Sequence, residues 1–160
     1  MIEDSGNIIV VEDERGMRAT LVGALEDQGY RVMAFDSGRE AIGSIREESP
    51  DLVIADLRLP DADGLEILQA LKGIDTEAAF MVVTGYASVD TAVEALNEGA
   101  FAYITKPFNM DELNNTIRNA LRQQRLLREN QRLLEDLRRS NRELNAEIAQ
   151  RERAAATLAR

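Results

Sequence analysis

Short apolar runs and helix-patterned segments alternate five times along this chain, and that alternation leaves few folds open. The run NIIVV at Asn7–Val11 is rich in β-branched residues and reads as a buried strand. Glu14–Gln28 then carries Met17, Leu21, Ala24 and Leu25 at helical spacing, with Gly29 as C-cap. Arg31–Phe35 reads as a second strand. Ser37 is an N-cap with Glu40 three residues on, the spacing of a capping box, and Pro50 lies beyond that helix. A third strand is expected at Asp51–Ala55, followed by turn-forming residues up to Gly64 and a helix over Leu65–Lys72. Ala79–Thr84 is the fourth strand. Ser88 or Asp90 opens a helix that Gly99 ends, Phe101–Ile104 is the fifth strand, and Asn109 or Asp111 starts a helix with no stop.

Alternating strands and helices predict an α/β fold: a doubly wound parallel sheet of five strands, helices on both faces, right-handed crossovers. Such sheets bind ligands beyond the carboxyl ends of their strands, where strand order reverses. The residues expected there are Glu12 and Asp13 after the first strand, Asp56 after the third, Thr84 closing the fourth and Lys106 after the fifth. Each alone is ordinary: an acidic pair after a strand is usually a solvated turn, a Thr a β-former, a Lys-Pro a surface turn. Their convergence on one edge is what points to a site.

Three carboxylates, a hydroxyl and a lysine suit aspartyl phosphorylation. A carboxylate can act as covalent nucleophile toward phosphorus. Clustered carboxylates repel one another and call for a counter-cation. Mg²⁺, a hard ion held by one or two carboxylates and phosphate oxygens, fits that need and neutralises a transferring phosphoryl group. Lys106 supplies a second positive charge, and Thr84 a hydrogen bond to a phosphoryl oxygen.

Composition narrows the rest. With 44% hydrophobic residues the chain can build a core. It has no cysteine, which excludes disulfides and thiolate metal sites and fits a reducing, cytoplasmic setting. It has no histidine, so a phosphohistidine donor must lie on another molecule or on another part of a longer parent. MIEDSGNIIV lacks a basic n-region and an h-region, and no apolar run is long enough to span a bilayer. Charge is uneven: residues 1–116 hold 8 basic and 23 acidic side chains, the remainder 11 and 6, which marks two modules.

The strings IIVVEDE, LVIADLRLPDADGLEIL, VVTGYAS and GAFAYITKPF resemble the receiver domain of two-component response regulators, over roughly residues 6–122. The stretch VVTGYASVDTAVEALNEGAFAYITKPF is similar to receivers of the nitrogen-regulation type. The resemblance implies a flavodoxin-like sheet of order 2-1-3-4-5. It implies Asp56 as phosphoacceptor and a histidine kinase or phosphotransfer protein as donor. Glu12 and Asp13 would hold Mg²⁺ with Asp56 and the backbone carbonyl of Arg58. Thr84 would be the switch hydroxyl, Tyr103 the switch aromatic and Lys106 the lysine of the site, with a cis Lys106–Pro107 peptide and a small Gly85 beside the phosphoryl entrance. Glu12 stands where Asp is more usual, so its longer side chain is expected to reach the metal through water. Arg58 and Tyr86 flank the site, where a bulky pair would slow water attack on the acyl phosphate. Phosphorylation is expected to draw in Thr84, then Tyr103, and to remodel the face formed by the fourth helix, fifth strand and fifth helix.

Beyond the receiver (1–122), residues 123–160 carry a heptad pattern. Leu127, Leu134, Asn141, Ile148 and Ala155 take a; Asn130, Leu137, Leu144, Arg151 and Leu158 take d. No glycine or proline interrupts the run from Asn109 onward. A coiled coil is expected, with Asn141 favouring a parallel homodimer in fixed register. The eleven arginines of residues 117–160 are interspersed with acids and lack interleaved aromatics, which reads as a solvated coiled-coil surface rather than nucleic-acid binding. LNAEIAQRERAAATLAR resembles the linker helix that precedes sensory PAS domains, which points to an output module in a longer parent. The expected function is a phosphorylation-controlled switch that turns over no external substrate. The rival readings are a dimerisation scaffold with a silent receiver and an aspartyl-phosphate hydrolase. The hydrolase would want an acid two residues after Asp56, where Arg58 stands.

Overall fold

The computed structural model describes residues 6–75, 77–86 and 88–158. The first five residues, on which the leader reading rests in part, lie outside that set, as does Ala87 of the VVTGYAS string. Ten elements alternate: β1 (Asn7–Val11), α1 (Arg15–Asp27), β2 (Arg31–Phe35), α2 (Gly38–Glu48), β3 (Leu52–Ala55), α3 (Gly64–Ile74), β4 (Ala79–Thr84), α4 (Val89–Asn97), β5 (Ala102–Thr105) and α5 (Met110–Leu158). β1, β2 and β4 have the expected bounds. β5 begins one residue later than the apolar run suggested, and its Lys106 amide donates to the Thr84 carbonyl.

The strands form one parallel sheet of order β2-β1-β3-β4-β5. Order reverses between β1 and β3, so the turns after these two strands flank the switch point. Side chains alternate faces along each strand. Ile9, Val11, Val53, Ala55, Phe80 and Val82 pack with Ala41 and Ile45 of α2 and Leu68 and Leu71 of α3. Ile8, Val10, Ile54, Met81 and Val83 pack with Leu21 and Leu25 of α1 and Leu113, Ile117 and Leu121 of α5. The continuous apolar runs of β1, β3 and β4 are needed because both faces of these strands are covered.

Local signals end the helices as the residues demand. Gly29 and Gly99 take φ of 92° and 107°, which an L side chain adopts only with strain. Ser88 caps α4 in a reciprocal box with Thr91. Ser37 caps α2 by accepting the Glu40 amide at 3.4 Å. The carboxylate that completes this cap comes not from Glu40 but from Asp61, which accepts the Ser37 hydroxyl at 2.7 Å and the Gly38 and Arg39 amides at 2.9 and 3.0 Å.

The chain divides into two compact units, Met1–Gln124 and Arg125–Arg160. In the first, α5 buries Leu113, Ile117, Ala120, Leu121 and Gln124. In the second the helix is exposed throughout its a and d positions, among them Leu134, Leu137, Leu144 and Ile148. Leu126 and Leu133, which the heptad reading left out, are exposed apolar residues beside that seam. No helix among the described residues is long and apolar enough to cross a membrane.

Candidate functional site

All five predicted strand-end residues meet at the carboxyl edge of the sheet. Asp56 follows β3 directly and is only 5% exposed. Its amide donates to the Val11 carbonyl at 3.1 Å, which fixes its backbone against β1. The Thr84 hydroxyl, fully buried at the end of β4, donates to Asp56 Oδ1 at 2.8 Å. The Arg58 amide donates to the same oxygen at 3.2 Å. Lys106 Nζ donates to Asp56 Oδ2 at 2.9 Å and to Glu12 Oε2 at 2.7 Å. Its peptide bond to Pro107 is cis, as the resemblance implied.

Carboxylate oxygens of Glu12, Asp13 and Asp56 all lie within 4.8 Å of one another. Glu12 is buried and Asp13 exposed. Both Glu12 oxygens are engaged, Oε2 by Lys106 and Oε1 by the Glu14 amide at 3.2 Å. Burial pushes the Glu12 carboxyl up, and the hydrogen bond and charge of Lys106 offset only part of that rise. Burial acts on Asp56 in the same direction. There the hydrogen bonds from Lys106, Thr84 and the Arg58 amide outweigh it and hold the carboxyl below its ordinary value. Burial would lower Lys106, but its two carboxylate partners raise it overall. Both shifts favour the charged forms of Lys106 and Asp56.

The turn that carries Asp56 is braced locally. The Leu59 amide donates to the Ala62 carbonyl at 3.2 Å, the Gly64 amide donates to the Leu57 carbonyl at 2.8 Å, and the backbones of Arg58 and Asp63 pair antiparallel. A Cβ on Gly64 would lie 2.5 Å from the Asp56 carbonyl oxygen, so only glycine lets α3 start this close to the Asp56 backbone. The sequence marked Gly64 only as a breaker. Two residues predicted at the entrance pair up: the Arg58 guanidinium lies 4.2 Å from the centre of the Tyr86 ring. Gly85 is open: the nearest atom to an added Cβ would be Lys106 Cβ, at 4.0 Å.

Tyr103, the expected switch aromatic, is half-buried on β5, and its hydroxyl lies 2.9 Å from that of Thr91 on α4. The same Thr91 oxygen accepts the Ser88 amide. The Thr84 oxygen that binds Asp56 also accepts the Tyr86 amide at 3.2 Å. Thr84 thus holds the backbone just after β4, and Tyr103 holds the first turn of α4.

Comparison with known proteins places this geometry. The family described as response regulator receiver domain matches residues 8–118. Regulatory protein AtoC of Escherichia coli (strain K12) is 38% identical over 122 residues, covering 76% of this chain and 26% of that protein. The C4-dicarboxylate transport transcriptional regulatory protein DctD of Rhizobium meliloti is 32% identical, over 79% of this chain and 28% of its own length. This chain therefore spans about a quarter of the length of these curated relatives. Among solved structures, the signal receiver domain of a Luxo repressor protein from Vibrio parahaemolyticus superposes with a TM-score of 0.73 at 30% identity, covering 76% of this chain and 94% of that one. With an Asp–Thr–Lys constellation at the switch point of a 2-1-3-4-5 sheet and a family match over most of its length, the chain belongs to the response regulator receiver domains of two-component signalling.

Proposed function

We propose that Asp56 accepts a phosphoryl group from a phosphohistidine on a separate kinase or phosphotransfer protein. The observation that carries this reading is the treatment of its carboxylate: buried, with one oxygen held by Thr84 and the other by Lys106. A carboxylate oxygen attacks phosphorus, the phosphorus–nitrogen bond of the donor breaks, and imidazole leaves as an acyl phosphate forms. Thr84 Oγ1 and the Lys106 ammonium are placed to receive the new phosphoryl oxygens, which bring roughly 1.5 to 2 negative charges.

Receiver domains typically hold Mg²⁺ in an acidic pocket, and the residues here fit such an ion. Lys106 pairs with Glu12 and Asp56 only, so a third carboxylate, Asp13, is left beside them; all donors are oxygens, and the excess charge is negative. Asp13, Asp56 and the Arg58 carbonyl are the residues that would hold it directly. Glu12, one methylene longer than an aspartate and so different in reach, would act through water. When bound, the ion neutralises charge on the transferring group.

The chain turns over no external substrate in this reading. Arg58 stands where a hydrolase needs an acid, and its guanidinium is stacked on Tyr86. The exposed a and d side chains of the second unit form the seam of a parallel homodimer, through which the phosphorylated state is passed on. One experiment tests the whole: incubation with Mg²⁺ and acetyl phosphate should add one phosphate to the mass, and Asp56→Asn should abolish the gain. No gain in wild type would leave a scaffold. Steady phosphate release without saturation would make it a hydrolase.

A further inference from the structure

Two of the three clustered carboxylates sit on the short turn between β1 and α1, and that turn is held from an unexpected direction. Arg18, on α1 and half-buried, donates through Nη1 to the Glu12 carbonyl at 2.9 Å and to the Asp13 carbonyl at 3.3 Å. Its amide also donates to the Glu14 carbonyl at 2.9 Å. Three successive carbonyls of the turn therefore end on one residue. On the side-chain face, Glu12 is bound by Lys106 and by the Glu14 amide. Asp13 alone has an exposed carboxylate, so its direction depends on how its peptide is held.

Helix electrostatics do not explain an arginine here. The first turn of α1 contains no acidic residue, and its N-cap Glu14 makes no side-chain cap bond. A cation near a helix N-terminus opposes the macrodipole. What Arg18 gains is the pair of carbonyls next to the acidic pair.

We propose that Arg18 is a positioning residue for the divalent-cation site: it fixes the Glu12 and Asp13 peptides so that the Asp13 carboxylate is held ready beside Asp56. The proposal rests on the reading of Glu12, Asp13 and Asp56 as a cation site. Its prediction has an informative sign. By charge alone, deleting a cation beside three carboxylates would tighten Mg²⁺ binding. By positioning, deleting it weakens binding, as loss of an outer partner of a metal ligand does.

The test is a Mg²⁺ titration of the unphosphorylated full chain, followed by amide NMR shifts, for wild type, Arg18→Met and Asp13→Asn. Arg18→Met is expected to bind about tenfold more weakly than wild type, the low end of the range for such partners. Unchanged or tighter binding by Arg18→Met, with Asp13→Asn clearly weakened, overturns the proposal and leaves the cation site standing. No saturable shift in wild type, or wild-type binding by Asp13→Asn, overturns both. Arg18→Gln, too short to reach both carbonyls, carries the same expectation and decides the matter if Arg18→Met does not fold.

Discussion

The hydroxyls of Tyr103 on β5 and Thr91 on α4 lie 2.9 Å apart, and Thr91 is also the return partner of the α4 capping box. The side chain expected to switch is therefore bonded to the residue that organises the first turn of α4. Tyr103→Phe removes one net hydrogen bond, about 1 kcal/mol. Amide exchange over the first turn of α4 should rise roughly fivefold on that basis, with the rest of the sheet unchanged. Equal protection in both proteins would show that Tyr103 does not steady α4.

Gly64 sets the distance between α3 and the Asp56 backbone. Gly64→Ala forces a Cβ to within 2.5 Å of the Asp56 carbonyl oxygen, which is backbone and must move. Such overpacking costs about 1–3 kcal/mol. The urea midpoint should fall accordingly, and acetyl phosphate should label Asp56 more slowly. A variant as stable and as readily labelled as wild type would contradict the close approach.

Asp61 gives the acid dependence a defined piece. Its hydrogen bonds from Ser37 and from the Arg39 and Gly38 amides hold its carboxyl at about 2, against an ordinary 3.8. A depressed folded-state value means the unfolded chain takes up its proton first as pH falls. The stabilisation is present above the ordinary value and is lost as pH drops through the interval toward about 2. Asp61→Asn should flatten the stability–pH curve in that interval. Identical curves would mean that the cap has no ionic component.

Arg58 stacked on Tyr86 stands at the entrance to Asp56. Replacing both with alanine should shorten the lifetime of the acyl phosphate several-fold, read as decay of the phosphorylated mass after the donor is removed. An unchanged lifetime would show that the pair does not hinder water.

The second unit's seam predicts its own assembly. Light scattering of wild type at micromolar concentration should give a dimer mass, and Leu134→Asp with Ile148→Asp should give a monomer, since each places a charge at an a position. A monomeric wild type would remove the coiled coil from the mechanism.

Much of the site was readable because the rules involved are local or follow from topology. Asp56, Thr84 and Lys106 each end or follow an apolar run, and parallel strands bring all such ends to one edge. Gly29 and Gly99 lay where periodic apolar spacing stopped. Asp61 was not readable as the α2 cap, because its partner Ser37 lies 24 residues earlier and no local pattern joins them. Arg18 was invisible for a different reason: it binds carbonyls, which every residue possesses and no side-chain motif records.

The sequence by itself determined the alternation, the element bounds to within a residue or two, and the chemical set at the strand ends, since these follow from periods of two and 3.6 residues and from which side chains can carry charge. Tertiary structure alone decided which oxygen of Asp56 faces Thr84 and which faces Lys106, that Glu12 is spent on Lys106 while Asp13 stays exposed, and that Gly64 must have no side chain. Those facts depend on distances between segments remote in the chain, and such distances are set by packing the two faces of the sheet.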